Sequence, residues 1–154
     1  MEKTNVMRLL DVAKIEYKAH EYPVDVVDGL SVAKELGENP ECVFKTLVCV
    51  SSNKEYVVFC VPVTGELNLK KAAKAAGCKA IELIPQKQLL PLTGYVHGGC
   101  SPIGMKKAFP TYIDETAMLF DTIYVSGGRR GHQVEVNPQA LLDYVHGSFV
   151  DLTD

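Results

Sequence analysis

The chain has 154 residues, a length that suits one domain of roughly 100–200 residues with a core of its own. Its 47% hydrophobic and 23% charged residues give the profile of an ordinary soluble protein, and no apolar run approaches the roughly 20 residues a membrane helix needs. A net charge of −3 weighs against a non-specific nucleic-acid binder, whose affinity rests on neutralising phosphates. The first residues carry no apolar signal block, so a cytosolic protein is expected.

Val6, Leu9, Leu10 and Ala13 recur at helical spacing and predict a helix over 4–14. Glu16 to Tyr22 alternates as a short strand does, and Pro23 stops it. Asp28 to Leu36 reads as a helix ended by Gly37, and Asn39-Pro40 opens one short turn. Phe44–Val50 and Tyr56–Pro62, joined by Ser51-Ser52-Asn53-Lys54, make the clearest hairpin in the chain. Asn68 caps a helix through Ala76, with Gly77 at its stop. Ala80–Ile84 is a short strand, and Pro85 starts a helix to about Leu90. The glycine-rich stretch from Gly94 to Gly104 reads as a loop. Thr111–Ile113 is a candidate strand, Asp114 caps a short helix, and Thr122–Val125 and Gln133–Val136 follow as strands. Asn137-Pro138 opens a last helix carrying Ala140, Leu141 and Val145. A hairpin followed by mixed helices and strands predicts an α+β fold with a mixed sheet. Residues 1–154 show no linker or repeat and read as one domain.

Lys45 breaks the pattern of the first hairpin strand. Side chains alternate along a strand, so Lys45 shares a face with Val43, Leu47 and Cys49. A lysine there must snorkel to water, pair with an anion or line a cleft. Two glycine loops could supply the rest of such a site: Gly98-Gly99-Cys100-Ser101-Pro102-Ile103-Gly104 and Ser126-Gly127-Gly128-Arg129-Arg130-Gly131. Glycine lets backbone approach a ligand, and loop N–H groups can face an anion or a carbonyl oxygen. One such loop alone would most simply be a turn. Lys106-Lys107 and Arg129-Arg130 adjoin the loops, which favours a directed anionic ligand over scattered surface charge.

Conventional catalytic sets are missing. The five cysteines (42, 49, 60, 78 and 100) form no Cys-x-x-Cys, which argues against a zinc site and a disulfide framework. The four histidines are dispersed; His20 reads as structural, and His132 follows the second glycine loop. Neither loop has the phosphate-binding or dinucleotide pattern, and nothing implies a metal or an organic cofactor. Cys100 would need a lowered pKa and a base to act as a nucleophile. What remains is a lysine, hydroxyls and backbone donors: a site that orients rather than attacks.

Phe44-Lys45-Thr46-Leu47, Val61 to Lys71, Gly94 to Gly104 and Thr122 to Gly128 together resemble the YbaK/EbsC family, in matching order over nearly the whole chain. That family includes bacterial Cys-tRNA(Pro) deacylases and is related to the editing insertion domain of prolyl-tRNA synthetases. The resemblance implies a mixed, strongly curved, barrel-like sheet flanked by helices. It implies trans-editing hydrolysis of the ester in misacylated tRNA(Pro), Cys-tRNA(Pro) first among the substrates, with Ala-, Ser- or Thr-tRNA or a non-catalytic docking role as alternatives. Prolyl-tRNA synthetase is the implied candidate partner, and no membrane is involved. Lys45 matches the family's key lysine and Tyr22 a tyrosine near the substrate. Gly98 and Pro102 match a loop near the aminoacyl group, and Ser126 and Gly127 match the second loop. Thr46, Gly99, Ser101 and Gly128 complete the expected substrate-binding set. In Cys-specific members the substrate's own thiol attacks its ester, which accounts for the missing protein nucleophile. One departure stands out: Gln133 occupies the place of an aspartate in Cys-specific members. Glutamine supplies neither charge nor base.

Overall fold

The computed structural model describes residues 2–154. Among them are five α-helices: α1 (Asn5–Val12), α2 (Gly29–Leu36), α3 (Leu69–Ala76), α4 (Leu89–Thr93) and α5 (Pro138–Tyr144). The strands are β1 (Tyr17–Glu21), β2 (Phe44–Ser51), β3 (Tyr56–Pro62), β4 (Ile81–Leu83), β5 (Thr111–Asp114), β6 (Ile123–Ser126), β7 (His132–Val136) and β8 (Ser148–Val150). Local chemistry sets the helix ends. Thr4, Asp28, Asn68 and Asn137 each accept a hydrogen bond from a backbone N–H in the first turn of α1, α2, α3 and α5. Such caps satisfy donors the helix leaves open. Gly37 and Gly77 close α2 and α3 in the left-handed conformation.

The strands form two sheets. One has three strands in the order β1-β7-β6, all antiparallel; the other has five in the order β4-β2-β3-β5-β8, antiparallel around the hairpin and parallel beyond β3. An isolated parallel bridge, Val43 to Tyr124, links them. The mixed α+β architecture is as expected, but the sheet is not a closed barrel. β4 and β8, three residues each, end the larger sheet as open edges.

Alternation along β3 divides the core. Val58 and Cys60 face a central cluster with Val6, Met7 and Leu10 of α1, Ile123 and Val125 of β6 and Val134 and Val136 of β7. Val57, Phe59 and Val61 face the opposite way, against Ala72 and Ala73 of α3. A third, smaller cluster joins Ala33 of α2 to Val43, Val63 and Tyr124. The face of β2 that carries Lys45 is therefore covered by α3 over Leu47 and Cys49, and by the α2 cluster over Val43. Lys45 falls between these two covers, and that gap is where a cleft opens.

The smaller sheet carries a polar network on its outer face. Glu135 Oε1 lies 3.0 Å from His20 Nε2, and Thr122 donates to Oε2 at 2.6 Å. The His20 ring lies 5.2 Å from that of Tyr124. His20 thus has the structural role its sequence context suggests. Burial pushes the Glu135 pKa up, but hydrogen bonds from Thr122, His20 and Tyr124 outweigh it and leave the pKa below the ordinary value of 4.5. A carboxylate with a depressed folded-state pKa stabilises the fold above its unfolded pKa. That contribution is lost as pH falls through the lower, folded value. Thermal unfolding followed downward from pH 6 is therefore expected to show a shallower acid limb in Glu135→Gln than in wild type.

Candidate functional site

The cleft has a volume of ≈ 270 Å³ and lies between β2, the first turn of α2, and the two glycine loops. Lys45 reaches it from β2, where it pairs across the hairpin with Val61. Its Nζ is 3.6 Å from Glu66 Oε1, and its side chain is 29% exposed while that of Glu66 is 89% exposed. Of the three options open to a lysine on that face, two hold at once: it pairs with an anion and it lines a cleft. An ion pair with so exposed a partner is worth about 0–1 kcal/mol, so an arriving phosphate can displace it.

Of the expected site residues, Lys45, Tyr22, Thr46, Gly98 and Ser126 come together around this cleft. The others lie apart from its lining. Ser101 is fully buried, and its Oγ accepts from Ile103 N at 3.2 Å, so the hydroxyl shapes the loop. Pro102 lines a separate groove with Met105 and Phe109. Gly128 lies over Val6 and Tyr95 on the far side of its loop, and Gly127 N donates to His132 O. Gly99 is buried behind Gly98 and packs on the second loop. His132 also lies outside the lining, with Nε2 3.6 Å from Glu21 Oε1.

The loops touch each other. A Cβ on Gly99 would lie 3.0 Å from Arg130 N and 3.2 Å from Arg129 Cα, so any side chain there would push the second loop's backbone back by a few tenths of an ångström. Gly98 has φ +86°, and a Cβ there would strike Val27 at 2.5 Å. Arg130 Nε donates to the carbonyl of His97 at 2.7 Å and ties one loop to the other. The N–H groups of the first loop are not all open to a ligand. Gly99 N donates to Val96 O at 2.9 Å. Among the described residues, the N–H groups of Gly98, Cys100, Ser101 and Gly104 in this stretch have no acceptor in the chain, and of these residues Gly98 and Cys100 line the cleft.

Several cleft residues are not evident from sequence. Asp28 caps α2 through Ser31 N and also lines the cleft, as do His97, Leu89 and Cys100. The helix-cap pattern at Asp28 is legible, but nothing local says that the helix points its first turn at Lys45. Burial pushes the Cys100 thiol up to about 12, so it stays protonated and is no rival nucleophile. Gln133, 6% exposed, sits opposite Ser126 in the β6–β7 register and lines the cleft. Its Nε2 lies 3.5 Å from the Tyr22 hydroxyl, and its Oε1 has no partner among the described residues. An unpaired buried acceptor costs about 1–3 kcal/mol, a cost that a ligand donor would remove.

A cleft with a displaceable lysine, free backbone N–H groups and a cysteine held protonated is chemically suited to hold and orient an anionic, carbonyl-bearing ligand. Residues 25–144 match the family model of the aminoacyl-tRNA editing domain, and the chain belongs to that family. It is 46% identical over 154 residues to EbsC of Enterococcus faecalis (strain ATCC 700802 / V583), provisionally named a Cys-tRNA(Pro)/Cys-tRNA(Cys) deacylase. That match spans 99% of this chain and 94% of the relative. Two solved structures share the fold. One, provisionally described as a trans-editing enzyme for prolyl tRNA synthetase, has a TM-score of 0.86 at 22% identity and covers 100% of this chain and 99% of its own. The other, the hypothetical protein APE2540, has a TM-score of 0.90 at 19% identity, over 98% of this chain and 100% of its own.

Proposed function

We propose that this protein is a trans-editing deacylase that hydrolyses the aminoacyl ester of misacylated tRNA(Pro), with Cys-tRNA(Pro) as its first substrate. The observation that carries this reading is the position of Lys45: a displaceable cation in the gap between two helical covers, in the same cleft as two free N–H groups. The 46% identity to EbsC supports the same substrate class.

In this mechanism Lys45 leaves Glu66 for the terminal phosphate or the developing oxyanion. The N–H groups of Gly98 and Cys100 polarise the ester carbonyl, the role of an oxyanion hole. The cysteinyl thiol gives up its proton and its sulfur attacks the ester carbon. A C–S bond forms, the C–O bond to the ribose breaks, and the ribose oxygen takes a proton. The resulting thiolactone opens in water. The chain needs no nucleophile of its own, because holding thiol and carbonyl together supplies about 7–11 kcal/mol in favourable cases. Tyr22, Thr46 and Ser126 line the aminoacyl end of the cleft, and Gly99, Ser101, Pro102, Gly127 and Gly128 support its loops from behind. The work is done where charged tRNA is, in the cytosol, with prolyl-tRNA synthetase as the partner that selects the tRNA. Residues 1–154 act as one domain, consistent with the burial of Leu152 in the cluster under α3.

Gln133 favours a second reading of specificity. A neutral amide lines the cleft where the family resemblance implies a carboxylate in Cys-specific members, so the preferred amino acid need not be cysteine. The deciding experiment is deacylation of tRNA(Pro) charged in turn with Cys, Ala, Ser and Thr. Cleavage of the cysteinyl ester well above the others is the expected result. Preference for Ala, Ser or Thr would move the substrate but keep the reaction, and inactivity on all four with tRNA still bound would leave a docking module.

A further inference from the structure

Three cations form a track that leaves the cleft on its loop side. His97 and Gly98 line the cleft, and Arg130 lies directly over them, with Nε 2.7 Å from the His97 carbonyl. Arg129 is next in the chain and, with Lys106, lines a second groove of ≈ 290 Å³ on the far side of the loop, beside Gly128. The stem of Lys106 lies on Gly94, where a Cβ would be 3.3 Å from Lys106 Cγ, and its backbone N–H donates to Thr93 O. Thr4 and Asn5, the first turn of α1, form the opposite wall, and that turn carries no acidic residue. Lys107 points away, into the groove with Pro102 and His146.

The chain as a whole carries a net charge of −3, so these cations stand out by their place beside the cleft. Lys106, Arg129 and Arg130 are all exposed, and no carboxylate of the described residues lies within ion-pair distance of any of them. Glu21, at the end of β1, lies 3.6 Å from His132. Cations left unpaired in a row beside a cleft are complementary to a row of phosphates, and the positive end of α1 adds to that field. The orientation comes from the cleft. If the ester sits at Lys45, the strand that carries it must leave through an opening, and the track begins at one wall of it.

We infer that Arg130, Arg129 and Lys106 form the docking track for the phosphates of the single-stranded 3′ end of the tRNA. This rests on the deacylase reading for its choice of RNA. Three phosphate contacts predict that log affinity falls with log salt at a slope of about −2 for a single strand. Between 50 and 200 mM salt that is a loss of about 20-fold. Substituting Lys106→Gln and Arg129→Gln together keeps the aliphatic stems and removes two of the three charges. The slope should then drop to about −0.7, a loss of about threefold over the same range.

The test is fluorescence anisotropy of uncharged tRNA(Pro) on the full chain across that salt range, run beside deacylation of Cys-tRNA(Pro) by wild type. The exchange Lys106→Arg with Arg129→Lys keeps the charges and should keep the steep slope. A wild-type slope near zero, or a double-Gln variant as salt-sensitive as wild type, overturns the track. A steep slope that the double-Gln variant flattens and the exchange variant keeps supports it. This holds even if no deacylation is seen, a result that would sink the functional reading instead.

Discussion

Replacing Lys45 with alanine is expected to lower kcat/KM for Cys-tRNA(Pro) deacylation by about 10²–10³-fold, the usual cost of removing one preorganised charge or oxyanion donor. Protein stability should hardly change. Lys45 is half-buried, and its partner Glu66 is almost wholly exposed, so the pair adds little to the fold. Activity and unfolding therefore separate in this variant. Deacylation at the wild-type rate would remove Lys45 from the mechanism. A matching collapse of Tm would make it a structural residue instead. Lys45→Arg is a useful companion. It keeps the charge but carries a planar, forked head in a gap fitted to a point charge, so rescue should be partial.

The largest loss of stability is expected from Phe59→Ala. Phe59 is wholly buried on the α3 side of β3, beside Val57, Val61 and Ala72, and stacks on Tyr112 with ring centroids 5.7 Å apart. Truncation removes an aromatic ring from a packed cluster and leaves a cavity, at a cost of about 3–5 kcal/mol. For a chain of this length that is a fall in Tm on the order of 10 °C. The cleft lies along the neighbouring strand, so activity per folded molecule should survive at low temperature. Calorimetry and a deacylation assay at two temperatures measure both effects.

Much of the fold is local chemistry and can be read in the chain. Asn68 to Gly77 states its helix twice, with a cap at one end and a left-handed stop at the other. The hairpin around Asn53 declares itself through two apolar, β-branched runs. Other features depend on partners far away in sequence. β8 is three residues of Ser148-Phe149-Val150 whose identity as a strand comes from parallel pairing with β5. The helix expected from Pro85 begins as a 3-10 turn, and the α-helical part runs on to Thr93, past Leu90. The two sheets meet at the bridge between Val43 and Tyr124, which no window of sequence contains.

The site is legible to the same degree. Lys45 announces itself because a charge in an apolar strand is a local contradiction, and Tyr22, Thr46, Gly98 and Ser126 do gather around it. Glu66 and Asp28 give no such signal, since an exposed carboxylate and a helix cap are ordinary in isolation. Ser101 and Pro102 pass for ligand-facing residues because they share a loop with Gly98. The loop instead turns at Gly98 and buries Gly99 to Ile103, and the Ser101 hydroxyl is used on Ile103 N.

The contact of Gly99 with the backbone of Arg129 and Arg130 has a consequence for how such a cleft can change over time. Two loops held face to face through Gly99, with Arg130 latched to the His97 carbonyl, resist substitution at that contact. New substrate preference must then enter through the strands. Tyr22 directly follows β1 and Gln133 lies on β7, and both side chains line the cleft. The loops act as a fixed frame and these two residues as its replaceable lining. A library built at positions 22 and 133 should yield folded proteins with altered amino-acid choice, and one built at 98 and 99 should yield mostly unfolded ones.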